Sequence, residues 1–342
     1  MASYKKSESR AYCRANMKGI WAAIPYPFDK NDNIAEDAFR ADIRHYIDNL
    51  HIKGFFVGGM IGEFWCLTKE ERLRGQAIAC DEAGEVPIIA HTGHTSAKEA
   101  AELANAAAEA GATYVIMSNP YLGAQGIPAR VRAFFKDFCS NVDLGVSLFN
   151  SGATGYSLSP ELVRELVDDN ENICCIKNAQ PKAHCDEVRE AVGEDIVVSD
   201  PMETQWFFNR AYHKQQTYMS GPDPFLYQRT GNLGMEKYTD LIDGGKPRGG
   251  LDRQGVDESD PPHRREVDLG SVVEGRVPDR RAEGLDGSDG HDRRADAGAD
   301  DPAHGGPEKR AGRRSQDRWP DRLNRSRIAS FLLGAGVHGF RA

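Results

Sequence analysis

Lys177 is the residue of this sequence whose position most directly suggests chemistry. It follows the apolar run 173–176 (ICCI), and such a run bounded by asparagines predicts a strand buried on both faces. Burial disfavours an ammonium and lowers the pKa of a lysine, and a neutral amine can form a Schiff base with a carbonyl substrate. The alternative is a structural lysine whose side chain extends from the strand end into water.

The elements around Lys177 alternate between strand and helix patterns from residue 18 to residue 243. Strands are predicted at 19–27, 54–59, 86–90, 114–118, 144–149, 173–178, 196–199 and 217–220. Helices are predicted at 37–50, 68–83, 96–110, 128–139, 159–167, 183–191 and 203–213, with a weaker one at 225–241. Thr68 and Glu71 form a capping box at the start of the second helix. Eight such units in this length predict a (β/α)8 TIM barrel, and an open doubly wound sheet is the alternative.

In a barrel, catalytic residues collect at the carboxyl ends of the strands. The predicted strand ends therefore bring several further residues to the mouth that holds Lys177. They are Gly59, Met60 and Ile61 after the second strand, His91 after the third, Tyr121 after the fourth, Phe149 and Asn150 after the fifth, and Ser199 after the seventh.

These segments, in this order, resemble the dihydrodipicolinate synthase / N-acetylneuraminate lyase (DapA-like) family of class I aldolases. The segments that carry the resemblance are 25–29 (PYPFD), 58–68 (GGMIGEFWCLT), 119–121 (NPY), 149–155 (FNSGATG) and 175–177 (CIK). The resemblance covers residues 18–240 and implies a TIM barrel. It also implies that Lys177 forms an imine with C2 of a 2-oxo acid such as pyruvate, so that carbon–carbon or carbon–oxygen bonds at the neighbouring carbons can be made or broken.

Within the resemblance, the turn at Gly58 and Gly59 would let backbone N–H groups approach the substrate carboxylate. The expected substrate-binding set is Gly59, Met60, Ile61, Asn150 and Ser199. The expected chemistry needs no cofactor and no metal, because the imine itself accepts electrons. His91 and His94 also have the spacing of a metal-binding pair, but no third ligand accompanies them.

The chain departs from the family pattern at several of these positions. Met60 and Ile61 replace two hydroxyl residues, Phe149 occupies the position of the usual proton-shuttling tyrosine, and Leu122 replaces a second aromatic residue. Each replacement makes the pocket more apolar, which favours an apolar-substituted 2-oxo acid. His91, His94 and Tyr121 are then the candidates for the proton shuttle.

Composition limits the possible partners and location. The formal net charge is −9, and residues 1–246 carry all of it, which argues against a nucleic-acid or anionic-membrane partner. Seven irregularly spaced cysteines are typical of a reduced, cytoplasmic protein. The sequence contains no run of 18 apolar residues, so no membrane span is predicted, and the polar N-terminus does not resemble a signal peptide.

Residues 247–342 differ in composition from the rest of the chain. They contain 17 Arg and one Lys, whereas residues 1–246 contain 12 Arg and 13 Lys. The segment is either a natural disordered tail or the product of an altered reading frame, and the next frame of the gene after codon 246 distinguishes the two. The predicted organisation is therefore an N-terminal segment (1–17), a barrel (18–246) and a tail (247–342).

Three hypotheses of function follow from these features. The first is a Schiff-base lyase acting on a small 2-oxo acid. The second is a catalytically inactive descendant that binds a small molecule, and the third is a non-functional product whose altered tail leaves apolar surface uncovered. The resemblance implies a homotetramer, and the altered tail would change the C-terminal contacts of that assembly.

Overall fold

The computed structural model describes residues 3–121, 126–221 and 224–245. Leu122 and the predicted tail 247–342 lie outside the described residues. Eight parallel strands form the central sheet: β1 (Gly19–Ile24), β2 (Gly54–Val57), β3 (Ile88–His91), β4 (Tyr114–Ser118), β5 (Gly145–Ser151), β6 (Ile173–Ala179), β7 (Val197–Ser199) and β8 (Thr217–Ser220). The sheet order runs from β7 through β6, β5, β4, β3, β2 and β1 to β8. This order is that of a (β/α)8 TIM barrel, as predicted.

Side-chain hydrogen bonds close the barrel between β7 and β8, where the backbone ladder is interrupted. The Ser199 hydroxyl on β7 donates to the carbonyl of Thr217 at 3.3 Å and accepts from the backbone N–H of Met219 at 3.3 Å. One serine thereby links the two strands at the ends of the sheet order. Its hydroxyl is a structural element of the barrel wall.

Most of the helices lie between successive strands of the barrel, whereas the first precedes β1 and the last two follow β8. The helices are α1 (Ser9–Asn16), α2 (Glu36–Asp48), α3 (Lys69–Ala83), α4 (Ala97–Glu109), α5 (Pro128–Ser140), α6 (Pro160–Asp169), α7 (Lys182–Val192), α8 (Trp206–Ala211), α9 (Pro224–Tyr227) and α10 (Gly234–Asp243). The predicted capping box of α3 is confirmed, because Glu71 N–H donates to Thr68 Oγ1 at 3.2 Å and Thr68 N–H donates to Glu71 Oε2 at 2.8 Å. Local sequence thus determines where this helix begins.

The single helix predicted over residues 225–241 is wrong. The structure divides this stretch into α9, a two-stranded antiparallel hairpin of β9 (Gln228–Arg229) and β10 (Asn232–Leu233), and then α10. Gly231 in the hairpin turn has a φ of +78°, a conformation that ends a right-handed helix. The Gln228 side chain secures the hairpin by donating to the Leu50 carbonyl at 3.0 Å.

The N-terminal segment packs against the amino-terminal end of the barrel, which the sequence pattern did not predict. Cys13 of α1 and Met17, which directly follows that helix, are buried in the same apolar cluster as Trp21, Tyr114 and other residues of the barrel interior. Tyr4 extends the contact, because its hydroxyl donates to the Thr113 carbonyl at 2.6 Å. The opposite, carboxyl end of the strands is left for a ligand site.

The apolar core also fills the space between the strands and the surrounding helices. No helix within the described part of the chain is long and apolar enough to cross a membrane. The helices instead bury one face each against the barrel. On α6, for example, Leu162, Val163, Leu166 and Val167 are buried in this layer.

Candidate active site

Four side chains occupy one level at the carboxyl end of the barrel. Strand register pairs Ser118 of β4 with Phe149 of β5, Phe149 with Lys177 of β6, and Lys177 with Ser199 of β7. Residues at alternate positions of a strand share a face, and Ile116 and Val197, each two residues before a member of this set, lie in the barrel interior. The four side chains therefore face the interior together.

Lys177 is buried at this level, with a relative exposure of 5%. Its Nζ donates to the carbonyl of Ser220 at 3.2 Å. The same atom lies 4.9 Å from the centroid of the Phe56 ring and 5.4 Å from that of Phe149. The prediction that Lys177 ends its strand is wrong, because β6 continues for two residues beyond it, to Ala179. An amine held inside the barrel mouth between aromatic rings is suited to react with a ligand there.

The turn after β2 lies against the same aromatic rings. Gly58 has a φ of +71°, and a Cβ on Gly59 would be 2.3 Å from the Phe56 ring, so both positions require glycine. Met60 and Ile61 are half-buried and pack against the apolar cluster of the barrel interior. The turn therefore brings two apolar side chains to the carboxyl end of the barrel.

His91 is fully buried beside Phe56, with the two ring centroids 5.9 Å apart. Its Nε2 is 2.7 Å from Ser118 Oγ. Burial lowers the pKa of His91 well below its usual value of 6.5, and the positive charge of Arg72 lowers it further, against a smaller opposing effect of the Gly58 backbone. His91 is therefore neutral at physiological pH.

This shift predicts a specific pH dependence of stability. Between pH 6.5 and the lower folded-state pKa, the unfolded chain binds a proton at His91 and the folded chain does not, so stability falls as the pH is lowered through this window. A His91→Gln variant should flatten the slope by up to about 1.4 kcal/mol per pH unit. Urea denaturation from pH 7 to pH 5 measures it. The pKa of His213 is also lowered by burial, but His213 contributes equally to the slope in both proteins, so the difference between the slopes reports His91. Equal slopes in the two proteins would contradict the assignment.

Arg72 holds the backbone of the His91 segment in place. Its guanidinium donates to the carbonyls of His91 at 3.1 Å and Gly93 at 3.2 Å, and Gln76 donates to the His91 carbonyl at 2.8 Å. The Arg72 side chain also lies 5.5 Å from the centroid of the Phe64 ring. Burial lowers the pKa of Arg72, although less than would neutralise a guanidinium. Helix α3 therefore fixes the end of β3 and supplies a positive charge behind the site.

Two residues predicted to bind substrate have their side chains engaged elsewhere. Asn150 Nδ2 donates to the Leu158 carbonyl at 3.1 Å and to Asn178 Oδ1 at 2.8 Å, and its Oδ1 accepts from Leu158 N–H at 2.8 Å. These contacts lie on the helix side of β5, opposite to Phe149. Ser199 faces the interior, but its hydroxyl is used in the closure of the barrel. A role for either residue in substrate binding stays a prediction.

Tyr121 follows β4 and is half-buried. It lies close enough to Arg72 to raise the pKa of that guanidinium slightly, against the larger effect of burial. The predicted role of Tyr121 as a proton shuttle also stays a prediction. Lys177, Phe149 and His91, in contrast, are brought together directly, because all three contact the ring of Phe56.

Three residues of this site were not singled out from the sequence. Phe56 contacts Lys177, Phe149 and His91. Ser118 forms a hydrogen bond with His91, and Arg72 holds the end of β3 in place. Phe56 and Ser118 lie on predicted strands, and counting alternate positions back from the strand ends would have placed them inward. Arg72 lies in the first turns of α3, where no periodic signal marks a contact with β3.

The chain matches the model of the dihydrodipicolinate synthetase family over residues 16–201, more than half of its length. It belongs to the dihydrodipicolinate synthetase family. The matched region runs from the end of α1 to the loop after β7, and it contains Lys177, Phe149, His91, Ser118 and Ser199 but not Ser220. The resemblance noted in the sequence is confirmed at the level of the family.

Curated relatives carry different names. An N-acetylneuraminate lyase of Clostridium perfringens is 34% identical over 159 residues, which are 46% of this chain and 55% of that protein. A 4-hydroxy-tetrahydrodipicolinate synthase of Bartonella quintana is 30% identical over 184 residues, which are 53% of this chain and 62% of that protein. The chain thus spans little more than half the length of these relatives.

Solved structures of the family share the fold. YagE of Escherichia coli K12, a prophage protein of the dihydrodipicolinic acid synthase family solved in complex with pyruvate, matches with a TM-score of 0.61 at 26% identity, over 68% of this chain and 78% of that one. A dihydrodipicolinate synthase structure matches with a TM-score of 0.60 at 23% identity, over 67% of this chain and 77% of that one. The second likeness supports the barrel fold alone.

Proposed function

We propose that the chain is a lyase that binds a 2-oxo acid as a Schiff base on Lys177. The observation that carries the proposal is the position of Nζ, buried at the barrel mouth between the rings of Phe56 and Phe149. Membership of the family supports it, and so does the pyruvate complex of YagE. A surface lysine would point into bulk water, whereas the amine of Lys177 is held inside the barrel mouth, where a carbonyl ligand would meet it.

The proposed reaction begins with the attack of the neutral Lys177 amine on the C2 carbonyl of the substrate. Proton transfer to the carbonyl oxygen and loss of water give a protonated imine. The imine withdraws electrons from C3, so that a bond at C3 can break with its electron pair left as an enamine. This sequence is common to aldol cleavage, aldol addition and dehydration, and all three remain within the proposed class.

The apolar surroundings of Lys177 support a substrate with an apolar substituent. The rings of Phe56 and Phe149 lie beside Nζ, Met60 and Ile61 pack against the same interior cluster, and none of these side chains can donate a hydrogen bond. A polar sugar chain would leave its hydroxyls unpaired against these groups, whereas an aryl or alkyl substituent would bury apolar surface. We therefore propose an apolar-substituted pyruvate as the physiological substrate class.

Reductive trapping tests the proposal. The full-length chain is incubated with pyruvate, or with phenylpyruvate, in the presence of borohydride, and the modified lysine is identified by peptide mass mapping. We expect the reduced adduct on Lys177, with phenylpyruvate trapped at lower concentration than pyruvate. Lys182 is the internal control, because it is half-exposed and ion-paired with Asp186 at 2.5 Å, and it reports non-specific reduction.

Two results would overturn the proposal. Modification of Lys177 no greater than that of Lys182 would show that the buried amine has no special reactivity. Saturable binding of the 2-oxo acid without any adduct would instead support the alternative of a non-catalytic binding protein. Calorimetric titration under the same conditions separates this second result from a simple absence of binding.

A further inference from the structure

An acid–base group is missing from the position where the family pattern places it, because Phe149 has no hydroxyl. Met60 and Ile61 cannot replace it, since neither carries an exchangeable proton. A Schiff-base lyase must nevertheless move a proton to and from C3 of its substrate. The hydroxyl or imidazole that performs this transfer must lie within the same layer of the barrel as Lys177.

Resting on the proposed function, we infer that Ser118 is the catalytic hydroxyl that exchanges the C3 proton, with His91 as the group to which it passes that proton. Ser118 Oγ and His91 Nε2 are 2.7 Å apart, a short hydrogen bond between two buried groups. Ser118 directly precedes the NPY segment, at a position the sequence did not mark as chemical.

The strand register places Ser118 at a suitable distance from the amine. Ser118 pairs with Phe149, which pairs with Lys177, so the serine and the lysine lie on strands separated by one strand at the same level. Adjacent strands are about 4.8 Å apart, which puts the two Cα atoms roughly 9–10 Å from each other. A small 2-oxo acid attached to Nζ would extend across this gap, along the Phe149 ring.

Ser199 completes the same layer on the other side of Lys177, but it is not equally available. Its hydroxyl donates to Thr217 and accepts from Met219 across the seam of the barrel. A proton transfer through Ser199 would interrupt that closure. Ser118, in contrast, has its hydrogen bond to an imidazole that can itself accept a proton.

The proposed step conserves atoms and charge. The C3–H bond of the protonated imine breaks and the proton passes to Ser118 Oγ, while the proton of Ser118 passes to Nε2 of the tautomer of His91 that is protonated on Nδ1. The electron pair of C3–H becomes the C2=C3 bond, and the π pair of C2=N returns to nitrogen, which gives a neutral enamine. The positive charge moves from Lys177 to His91, so the iminium and the imidazolium never coexist.

Burial and Arg72 keep the resting His91 neutral, and this is the form that the step requires. They also make the transient imidazolium a strong acid, which readily returns the proton through Ser118 in the reverse direction. His91 Nε2 is therefore unprotonated at rest and carries the transferred proton only while the enamine exists.

Deuterium exchange at C3 separates this inference from the proposed function. Full-length wild-type chain and variants are incubated with pyruvate and with phenylpyruvate in D2O, and deuterium incorporation at C3 is followed by NMR. The trapped fraction at Lys177 is measured in parallel at equilibrium. In Ser118→Ala the exchange rate should fall by about 10²–10⁴-fold, while the equilibrium trapped fraction stays within about twofold of wild type.

Two further variants protect the test against trivial loss of the fold. Ser147→Ala removes another buried hydroxyl from the interior face of β5, two residues before Phe149, and should leave exchange unchanged. Ser118→Cys keeps a proton-bearing atom beside His91 and should retain at least about a tenth of the wild-type exchange rate, since a thiol can still relay a proton.

Each result has a definite meaning. A wild-type exchange rate in Ser118→Ala would overturn the role of Ser118 and leave the proposed Schiff-base lyase unaffected. So would a Ser118→Cys variant that is trapped normally but whose exchange rate falls as far as the rate expected for Ser118→Ala. No adduct in the wild-type chain would overturn the proposed function itself. Loss of exchange in Ser118→Ala with normal trapping and normal exchange in Ser147→Ala would support the inference.

Discussion

A Lys177→Met variant is expected to form no trapped adduct with a 2-oxo acid and to lose turnover by roughly 10⁴-fold or more, the scale on which removal of a covalent nucleophile acts. The reason is that no other amine lies in the described part of the barrel mouth between Phe56 and Phe149. Methionine is unbranched and close to lysine in length, so it can lie between the same rings. Mass mapping after borohydride reduction, together with the C3 exchange rate, measures the loss.

The matched control is Lys182→Met. The ammonium of Lys182 also lies near an aromatic ring, at 5.9 Å from the centroid of Phe208, but it is half-exposed outside the barrel. This variant should keep wild-type trapping and exchange. A cooperative thermal transition in both variants shows that the barrel is intact. Adduct formation that persists in Lys177→Met would place the reactive amine elsewhere and refute the assignment.

The sequence predicted best those features that depend on neighbours along the chain. The start of α3 follows from Thr68 and Glu71, and the order of strands and helices follows from apolar periodicity. The hairpin at Gly231 was missed because the flanking residues retain helical spacing and only the turn conformation excludes a helix. The packing of α1 beneath the barrel was missed because Cys13 and Met17 bury themselves against distant strands.

The candidate site divides along the same line. Lys177, Phe149 and His91 were identified because they lie at strand ends, and the structure brings them around Phe56. The pairing of Ser118 with His91 could not be predicted, because it depends on the register of β3, β4 and β5. Which side chains share a level depends on that register and on a register shift between Val146 and Ser147, where β5 pairs with β6. Neither can be read from the residues that neighbour these positions along the chain.

The two strand-end residues whose side chains are used elsewhere show a further limit. A strand-end position identifies a residue as close to the mouth but does not say on which face its side chain lies. Asn150 is one residue after the inward-facing Phe149 and therefore faces the helices, where its amide joins the loop at Leu158 to Asn178. A contact with substrate predicts that mutation of Asn150 weakens binding, whereas the observed contacts predict that it lowers the stability of the fold.

An Asn150→Ala variant is expected to destabilise the fold by about 3–5 kcal/mol while leaving the affinity of the folded protein for 2-oxo acids unchanged. The buried Asn150 amide makes three hydrogen bonds to Leu158 and Asn178, and a weaker contact brings Asn119 to 3.5 Å. Alanine would leave the N–H and C=O of Leu158 and the side chain of Asn178 without these partners in a buried space, and each unsatisfied group costs about 1–3 kcal/mol.

Urea denaturation measures the loss of stability, and trapping at a temperature well below the midpoint measures binding by the folded fraction. Asn105→Ala is the control, because Asn105 also donates to a backbone carbonyl, that of Asn141 at 3.2 Å, but does so at the exposed surface and should cost less than about 0.5 kcal/mol. A substrate contact would reverse the pattern: Asn150→Ala would weaken trapping several-fold and barely change the midpoint. A loss of stability without a loss of affinity assigns Asn150 to the frame that holds β4, β5 and β6 in register, on which the level shared by Ser118, Phe149 and Lys177 depends.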